Sequence, residues 1–384
     1  MELERRKRRS PYRRNRKQQG AWLSILLIGV ILLFSLVNLI APDRASSEAE
    51  NRKLAQSPRL TWTTLTDGSF FGELDDYFAD QFVGRDFWIS LRLDFMRLMG
   101  QRESNGIVLC DDDYLMEKPA APNQEAVSRN LAAIVSFAQS HPRLNTAVCI
   151  APTAACVSDD KLPSNIPLRN QAADIAALKE NLEGVGFVDV TETLRAHRNE
   201  EIYYRTDHHW TSLGAYYAFA EIAEAFGIVP QEVYDSYTVS TSFEGTLASK
   251  SGCHDAQDTV QIYAPQTDYV VTYTSESLTT ASLYRRDALK GKDHYAVFFG
   301  GNQGRIDVTT ASGSGRTLLL IKDSYANCMV QFFVPYFDRI IMIDPRYYFD
   351  NVDGIVSTEG VTDVLFLYNV NTFHADTTLY GVLE

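Results

Sequence analysis

An uncharged segment near the N-terminus constrains the fold of this chain more than any other feature. The segment, residues 21–41 (AWLSILLIGVILLFSLVNLIA), contains no Asp, Glu, Lys or Arg. As a helix it rises about 1.5 Å per residue, which matches the roughly 30 Å of a bilayer core. We predict an uncleaved transmembrane anchor. The closest alternative is a cleaved signal peptide, whose apolar region is shorter, about 7–15 residues.

Charge is divided unevenly between the two sides of this segment. Residues 1–20 hold nine basic and two acidic side chains, whereas the rest of the chain holds 27 basic and 47 acidic ones. Because basic flanks stay in the cytoplasm, we expect a single-pass protein of the cell membrane with residues 42–384 outside. A basic tail beside a span is explained by topology and anionic lipid, so we predict no nucleic-acid partner.

Composition indicates a globular body rather than a disordered or disulfide-stapled one, since 45% of the 384 residues are hydrophobic and 22% are charged. The five cysteines include no C-x-x-C pair, so neither a zinc site nor a redox motif is indicated. One disulfide and five buried thiols both remain open. The predicted regions are a cytoplasmic basic tail at 1–20, a transmembrane anchor at 21–41, a stalk and helical region at 42–104, and an α/β domain at 105–384.

Within the α/β domain, apolar strand patterns alternate with helical ones. The strongest apolar runs are 145–150, 317–321, 339–343 and 361–368. Buried strands separated by helices predict a mostly parallel sheet covered by helices on both faces, with ligands at the carboxyl ends of the strands. A stretch rich in Thr, Ser, Tyr and Gly at about 235–315 is interpreted as a β-rich insertion. It includes an alternating run at 295–299, and a helix is expected over 325–333.

Two clusters could together supply nucleophilic catalysis. Asp207 and His209 lie two residues apart before a helix, so the carboxylate could hold the imidazole tautomer and leave the other ring nitrogen as a base. Ser324 follows a buried strand and opens the helix expected over 325–333, which would place its hydroxyl at the sheet edge. The ordinary alternatives are a hydrogen-bonded loop and a helix N-cap.

Polar residues at the ends of neighbouring strands could complete such a site. Asn369 could donate its amide to an oxyanion. Arg346 could orient a polar substrate or simply pair with Asp344, and Asn302 would border the same cleft.

The Asp-His-His triplet also permits a manganese site of the DHH phosphoesterase kind. That family needs further Asp- and His-bearing motifs, and the remaining histidines are isolated in the sequence. We predict neither a metal nor a cofactor.

These segments in combination resemble the DHHW family of bacterial membrane-anchored proteins. The resemblance covers about residues 46–375 and depends on TDHHWTSLGAYYAF, GGN at 300–302, IKDSYAN at 321–327, the DPRYY block and SEAENRKLA. That family is similar to the SGNH/GDSL hydrolases and to the alginate O-acetylation proteins. The resemblance implies an SGNH-like fold with Ser324 as nucleophile, in a K-D-S setting, His209 and Asp207 as base and acid, and Asn369 as the oxyanion asparagine.

The function implied by the resemblance is acyl transfer outside the cytoplasm. The chain would be an O-acetyltransferase or acetylesterase acting on a cell-envelope or exported polysaccharide, with a membrane-bound O-acyltransferase as a donor-side partner. The alternative is a non-catalytic carbohydrate-binding or scaffolding component of a polysaccharide acetylation machinery. An aromatic content of 11% suits sugar stacking as well as a packed core.

Overall fold

The computed structural model describes residues 11–230 and 234–384, with side chains from residue 18 onward. Residues 1–10 of the predicted basic tail therefore lie outside the described part. The chain divides into two compact units between Asp94 and Phe95.

The first unit begins with a long helix, α1 (Pro11–Ile40). Its stretch Gln18–Ile40 is long and apolar enough to cross a membrane, by length and composition. Further elements follow in chain order: strands β1 (Ser46–Ser47) and β2 (Arg52–Lys53), then helices α2 (Trp62–Thr66), α3 (Ser69–Asp80) and α4 (Arg85–Leu98), the last of which continues into the second unit.

The second unit alternates strands and helices, as the sequence predicts. Its strands are β3 (Glu103–Ser104), β4 (Ile107–Leu109), β5 (Leu115–Glu117), β6 (Asn145–Ala151), β7 (Gly186–Val188), β8 (Asp235–Phe243), β9 (Asp258–Ala264), β10 (Tyr269–Tyr273), β11 (Leu278–Thr280), β12 (Arg305–Thr310), β13 (Thr317–Lys322), β14 (Arg339–Ile343) and β15 (Asp363–Asn369). Its helices are α5 (Gln124–Ser140), α6 (Ala154–Val157), α7 (Gln171–Glu180), α8 (Thr191–Ala196), α9 (Ser212–Ala225), α10 (Thr246–Ser251), α11 (Val330–Phe333), α12 (Asp353–Thr358), α13 (Val370–Ala375) and α14 (Leu379–Leu383).

Eight strands form the central sheet, in the order β11-β10-β12-β14-β13-β15-β6-β7. The five strands from β14 to β7 are parallel, and β12, β10 and β11 extend that sheet antiparallel at one edge. Part of the β-rich stretch at 235–315 therefore belongs to the main sheet, while β8 and β9 pair with each other.

Both faces of the sheet are buried, which explains the continuous apolar runs in the sequence. In β15 all seven residues are buried. Leu365 and Leu367 belong to the core on one face, whereas Val364 and Phe366 belong to the core on the other. Because successive side chains of a strand point to opposite faces, a strand covered on both sides has a continuous apolar run, here 364–367 between the polar end residues of β15.

The helix expected over 325–333 does not form as one element. The structure has a 3-10 turn at Ser324–Ala326 and only then the short α11. The Ser324 carbonyl accepts from the Tyr295 hydroxyl at 2.8 Å, and the Tyr325 carbonyl accepts from Trp210 Nε1 at 2.9 Å. Side chains from other segments thus occupy the carbonyls that the first turn of an α-helix would use.

The run at 295–299 is also not a strand, because its first three residues lie in a 3-10 turn, His294–Val297, and only Phe298 forms an isolated β-bridge, with Tyr284. The Asp293 side chain accepts from the Ala296 N–H at its start, and Phe299 has a positive φ of 62° at its end. Among the described residues all five cysteines are buried and none is paired in a disulfide.

Candidate active site

The loop that carries Asp207 and His209 is held by backbone contacts on both sides. Tyr203 and Trp210 form an isolated β-bridge across it. The Asp258 carboxylate accepts from the N–H groups of Arg205 and Thr206, both at 2.8 Å. Burial raises the pKa of Asp258, although these hydrogen bonds oppose the rise. The loop is therefore closed into a compact turn before α9 begins.

Asp207, His209 and Ser324 form a continuous hydrogen-bonded row. His209 Nδ1 lies 2.6 Å from Asp207 Oδ1, and His209 Nε2 lies 2.8 Å from Ser324 Oγ. Because an ionised carboxylate only accepts, Nδ1 carries the proton, and Nε2 is left to accept from the serine hydroxyl. Asp207 and His209 are 2% and 6% exposed, while Ser324 is half-buried at the end of β13.

The second oxygen of Asp207 is held by the start of α10. Oδ2 accepts from the Thr246 N–H at 2.8 Å and from the Thr246 hydroxyl at 2.9 Å. Gly245 passes so close that a Cβ there would lie 2.3 Å from the Asp207 Cβ and 2.5 Å from Oδ2. Position 245 therefore has no room for a side chain while Asp207 keeps its place.

Burial and neighbouring charges set the protonation states of the pair. Burial lowers the pKa of His209 to about 4, assisted by the His208 charge and opposed by the Asp207 carboxylate. For Asp207, burial alone would raise the pKa, but the two imidazoles and the hydrogen bonds from His209 and Thr246 lower it well below its usual range. At neutral pH the row holds an ionised carboxylate and a neutral imidazole, which is the state of a general base.

Tyr295 supports both members of the Ser–His contact. Its ring stacks on the His209 ring, with centroids 3.8 Å apart and planes 10° apart. Its hydroxyl donates to the Ser324 carbonyl, as described above. The imidazole is consequently fixed in tilt as well as in tautomer.

Asp323 connects the serine to the end of the neighbouring strand β15. Its carboxylate accepts from the Tyr325 N–H at 2.9 Å and from the Asn369 N–H at 2.8 Å. Burial raises the pKa of Asp323 against these hydrogen bonds. The Asn369 side chain accepts from the Asn371 N–H through Oδ1, but its buried Nδ2 has no partner among the described residues. That amide therefore keeps an unused donor beside the nucleophile strand.

Arg346 and Asn302 take part in a buried polar cluster around Lys322. The Lys322 ammonium is fully buried and donates to Asn327 Oδ1 at 2.8 Å and to Asn302 Oδ1 at 3.2 Å. It also lies 3.6 Å from Asp344 Oδ2. Arg346 forms a two-pronged ion pair with Asp344, with contacts of 2.8 and 2.7 Å. The expected role of Arg346 and Asn302 toward substrate remains a prediction.

The carboxylate of Asp344 compensates the buried Lys322 ammonium and the half-buried Arg346 guanidinium, so its neutralisation should be costly. We expect Asp344→Asn to lower the free energy of unfolding by about 3 kcal/mol, because breaking a buried pair leaves an uncompensated charge. The measurement is denaturant unfolding of the solubilised chain. Asp287→Asn, which removes an exposed pair with Lys290, is the control and should leave the midpoint unchanged. Equal midpoints for both variants would contradict the prediction.

His208 does not contact the serine by any hydrogen bond that the structure records. Its Nδ1 lies 2.8 Å from the Thr246 hydroxyl, and its ring packs on His209 with centroids 3.9 Å apart. Potential ligand atoms of Asp207, His208 and His209 lie within 4.8 Å of one another, as a metal would require. Asp207 Oδ1 already accepts from His209 Nδ1, and Asp207 Oδ2 already accepts from Thr246. The geometry is therefore that of a hydrogen-bonded row.

A cleft of about 600 Å³ adjoins the row. Its lining includes His208, Thr246 and Asn369, together with Glu117 at the end of β5 and the following Lys118. A larger groove of about 740 Å³ lies between α5 and α7, and no residue of the row lines it. No residue of the row lines the smaller cleft either, but His208 and Thr246, which contact the row directly, line it.

Comparison with known proteins settles the family. The DHHW protein family model matches residues 121–343, which is more than half of the chain. The chain belongs to the DHHW family. No curated protein matches this DHHW chain in sequence.

Solved structures share the fold of this DHHW protein. The crystal structure of a DHHW family protein from Eubacterium siraeum is 27% identical, with a TM-score of 0.64, and covers 73% of this chain and 95% of that one. Bacillus cereus PatB1 is 19% identical, with a TM-score of 0.59, covering 71% and 98%. The O-acetyltransferase domain of Pseudomonas putida AlgJ is 15% identical, with a TM-score of 0.44, covering 71% and 93%. The first two of these likenesses confirm the predicted SGNH-like α/β fold.

The sequence analysis did not single out several residues that hold the row. Gly245, Thr246, Asp258 and Tyr295 all come from the stretch at about 235–315, which was interpreted only as a β-rich insertion. Their spacing carries no recognisable motif, because they come from three separate elements: the start of α10, the start of β9 and the 3-10 turn at His294–Val297. The one local signal was the dipeptide Gly245-Thr246, which is typical of the start of a helix.

Proposed function

We propose that this DHHW protein is an O-acetyltransferase or acetylesterase that acts on a polysaccharide through Ser324. The observation that carries the proposal is the 2.8 Å contact between Ser324 Oγ and His209 Nε2, in line with the 2.6 Å contact between His209 and Asp207. A nucleophile, a base and a group that orients the base are the three parts of this chemistry.

In the proposed reaction Ser324 Oγ attacks the carbonyl carbon of an acetyl ester. His209 Nε2 takes the hydroxyl proton and passes it to the departing alcohol, which leaves acetyl-Ser324. A hydroxyl of the acceptor, or water in an esterase, then attacks the acetyl-serine while His209 removes its proton. The new ester or acetate is released, and Ser324 regains its proton. Asp207 stays ionised and stabilises the imidazolium that forms in each half.

The negative charge that develops on the carbonyl oxygen needs donors. The Asn369 amide is proposed as one, since its buried Nδ2 has no partner among the described residues. The Ser324 N–H is proposed as the other, because it is the first of its 3-10 turn and no carbonyl of that turn can accept it. Removing one such donor typically costs on the order of 10²–10³ in rate.

A neutral or weakly charged glycan suits the cleft best. Lys250 pairs with Glu117 at 2.9 Å, and Lys118 pairs with Glu103 at 2.5 Å, so the cations near the cleft are already neutralised. Asn371 and Thr372 add uncharged polar groups to the lining. Such a surface matches sugar hydroxyls better than it matches carboxylated or sulfated polymers.

The proposed location is the outer face of the cell membrane, with α1 as an uncleaved anchor and the N-terminus in the cytoplasm. The length and apolar composition of Gln18–Ile40 and the basic tail support it. A membrane-bound O-acyltransferase as donor-side partner is part of the same proposal.

The test uses the full chain purified in detergent, with an activated acetyl ester as donor and neutral cell-wall oligosaccharides as acceptors. We expect acetyl to appear on the peptide that contains Ser324 and then on the acceptor or as acetate. PatB1 has been solved with a sulfonyl adduct, so a sulfonyl fluoride is a second probe and should block the reaction. EDTA should have no effect. Absence of both acetyl-serine and turnover would support the binding or scaffolding alternative.

The pH dependence follows from the low pKa of His209. Neutral imidazole is the base, so kcat/KM should fall as pH falls through that pKa. We expect the acid limb well below the ordinary imidazole value of about 6.5, toward the value of about 4 given above. The measurement is kcat/KM for ester hydrolysis against pH.

His208→Gln provides the matched comparison for this profile. The His208 charge contributes to the lowering, so its removal should move the acid limb to higher pH. A wild-type limb at or above 6.5 would contradict the lowered pKa of His209, and an unchanged limb in the variant would contradict the contribution of His208 to it.

A further inference from the structure

The first unit exposes an unusual number of large apolar side chains just after the candidate membrane span. Between 39% and 80% of each residue is exposed, and the residues are Trp62, Phe71, Phe78, Phe82, Phe87, Trp88 and Leu91. We call these seven residues the aromatic face. Soluble proteins seldom leave such a patch uncovered.

Helical geometry places these side chains on one side of each helix. At 100° per residue, Phe71 and Phe78 of α3 point in nearly the same direction, and Asp76 points the opposite way. In α4, Phe87 and Leu91 share one side, whereas Leu93 lies on the other and is 5% exposed. Both helices are therefore amphipathic, with the aromatic side left uncovered.

Direct contacts with α1 fix the depth of this surface. Phe34 stacks with Phe82 at 6.0 Å between centroids and meets Trp88 edge-on at 5.9 Å. Asn38 Oδ1 accepts from the Val83 N–H at 2.7 Å. Phe34 precedes the last residue of α1 by six positions, or about 9 Å along the axis. The connection between α3 and α4 thus lies beside the last apolar turns of the span.

Ion pairs hold the other side of the same helices. Asp80 of α3 accepts from Arg52 at 2.5 and 2.7 Å and from the Ala55 N–H at 2.8 Å. Arg44 pairs with Asp86 of α4 at 2.9 Å. The polar contacts collect on the segment after α1, so the aromatic face is turned away from them.

We propose that the aromatic face inserts into the interfacial layer of the bilayer that α1 crosses, on the side where α1 ends. Aromatic side chains favour the headgroup boundary, and an amphipathic helix in that layer buries its apolar face about 5–10 Å deep. The depth set by Phe34 falls within that range. The first unit is then a membrane-bound platform rather than a flexible stalk. The proposal depends on α1 as a membrane span and is independent of the chemistry at Ser324.

The test uses the full chain in phosphatidylcholine–phosphatidylglycerol vesicles at low protein-to-lipid ratio. Nitroxide labels are placed singly at Phe78→Cys, at Asp76→Cys as the matched control on the same helix, and at Leu32→Cys inside α1. The five native cysteines are buried, and the unsubstituted chain measures their background labelling. Collision with oxygen and with a water-soluble nickel chelate reports the depth of each label.

The expected result is a label at position 78 several-fold more accessible to oxygen than to the nickel chelate, with the reverse at position 76 and the deepest label at position 32. If the label at position 32 lies in the bilayer but the labels at both 76 and 78 are accessible to the nickel chelate, the inference is overturned and the anchor stands. Aqueous labels at all three positions would overturn the anchor as well. Shielding of position 78 that rises with protein-to-lipid ratio would indicate a second copy of the chain instead.

Discussion

Ser324→Ala should lower the rate of acetyl transfer by about 10⁴- to 10⁶-fold, which is the range that loss of a serine nucleophile costs in a triad. The Ser324 side chain is half-buried, and its recorded hydrogen bond is the one to His209. Its removal should therefore leave the fold intact. Stopped assays of acetate release and acetylated oligosaccharide, with the acetyl-enzyme followed by mass spectrometry, measure the loss.

Ser357→Ala is the matched control for this substitution. Ser357 is exposed on α12 and donates only to the Asp353 carbonyl, so its removal should leave the rate unchanged. Retention of wild-type turnover in Ser324→Ala would remove the nucleophile from the proposal. A sulfonyl fluoride that still labels the Ser324→Ala chain at one site would point to another residue.

Gly245→Ala should reduce the same activity by roughly 10²- to 10⁴-fold, although residue 245 has no chemical group of its own. A Cβ at this position would overlap Asp207, so the carboxylate must move or the start of α10 must shift. Either movement breaks the alignment of Asp207 with His209 Nδ1. Because the imidazole then loses its orienting partner, kcat should fall more than KM changes.

Gly354→Ala separates this effect from the general cost of adding a methyl group. A Cβ at Gly354 would meet nothing within 4 Å, and the residue lies in a helix without a positive φ. We expect unchanged turnover and equal or slightly higher stability, since alanine is the better helix former. A Gly245→Ala chain as active as Gly354→Ala would show that the position of Asp207 does not matter to the rate.

The parallel part of the sheet could be predicted because its sequence pattern has a direct physical cause. Strands such as β13 and β15 are covered on both faces, so each has a continuous apolar run in its middle, at 318–321 and 364–367, and the run stands out. The antiparallel edge could not be predicted in this way. Strands β10 and β12 carry mixed sequences, and nothing local in them indicates which existing strand they will join.

The positions of Asp207, His209 and Ser324 could be proposed from sequence, but their contacts could not. Spacing of two residues and a strand-to-helix boundary are local features, whereas the 2.8 Å approach of His209 to Ser324 depends on how two distant segments pack. The helix expected over 325–333 is wrong for the same reason. Tyr295 and Trp210, which are distant in sequence, donate to the carbonyls of Ser324 and Tyr325. The hydrophobic periodicity of the segment gives no information about such partners.

The location of β15 in the middle of the sheet has a consequence for biogenesis. It lies between β13 and β6, so the ladder that joins the two halves of the sheet is missing until residues 363–369 have been synthesised. Strand β13, which precedes Ser324, has no partner on its β15 side before then. A polypeptide interrupted ahead of β15 would therefore lack the continuous sheet on which the approach of Ser324 to His209 depends.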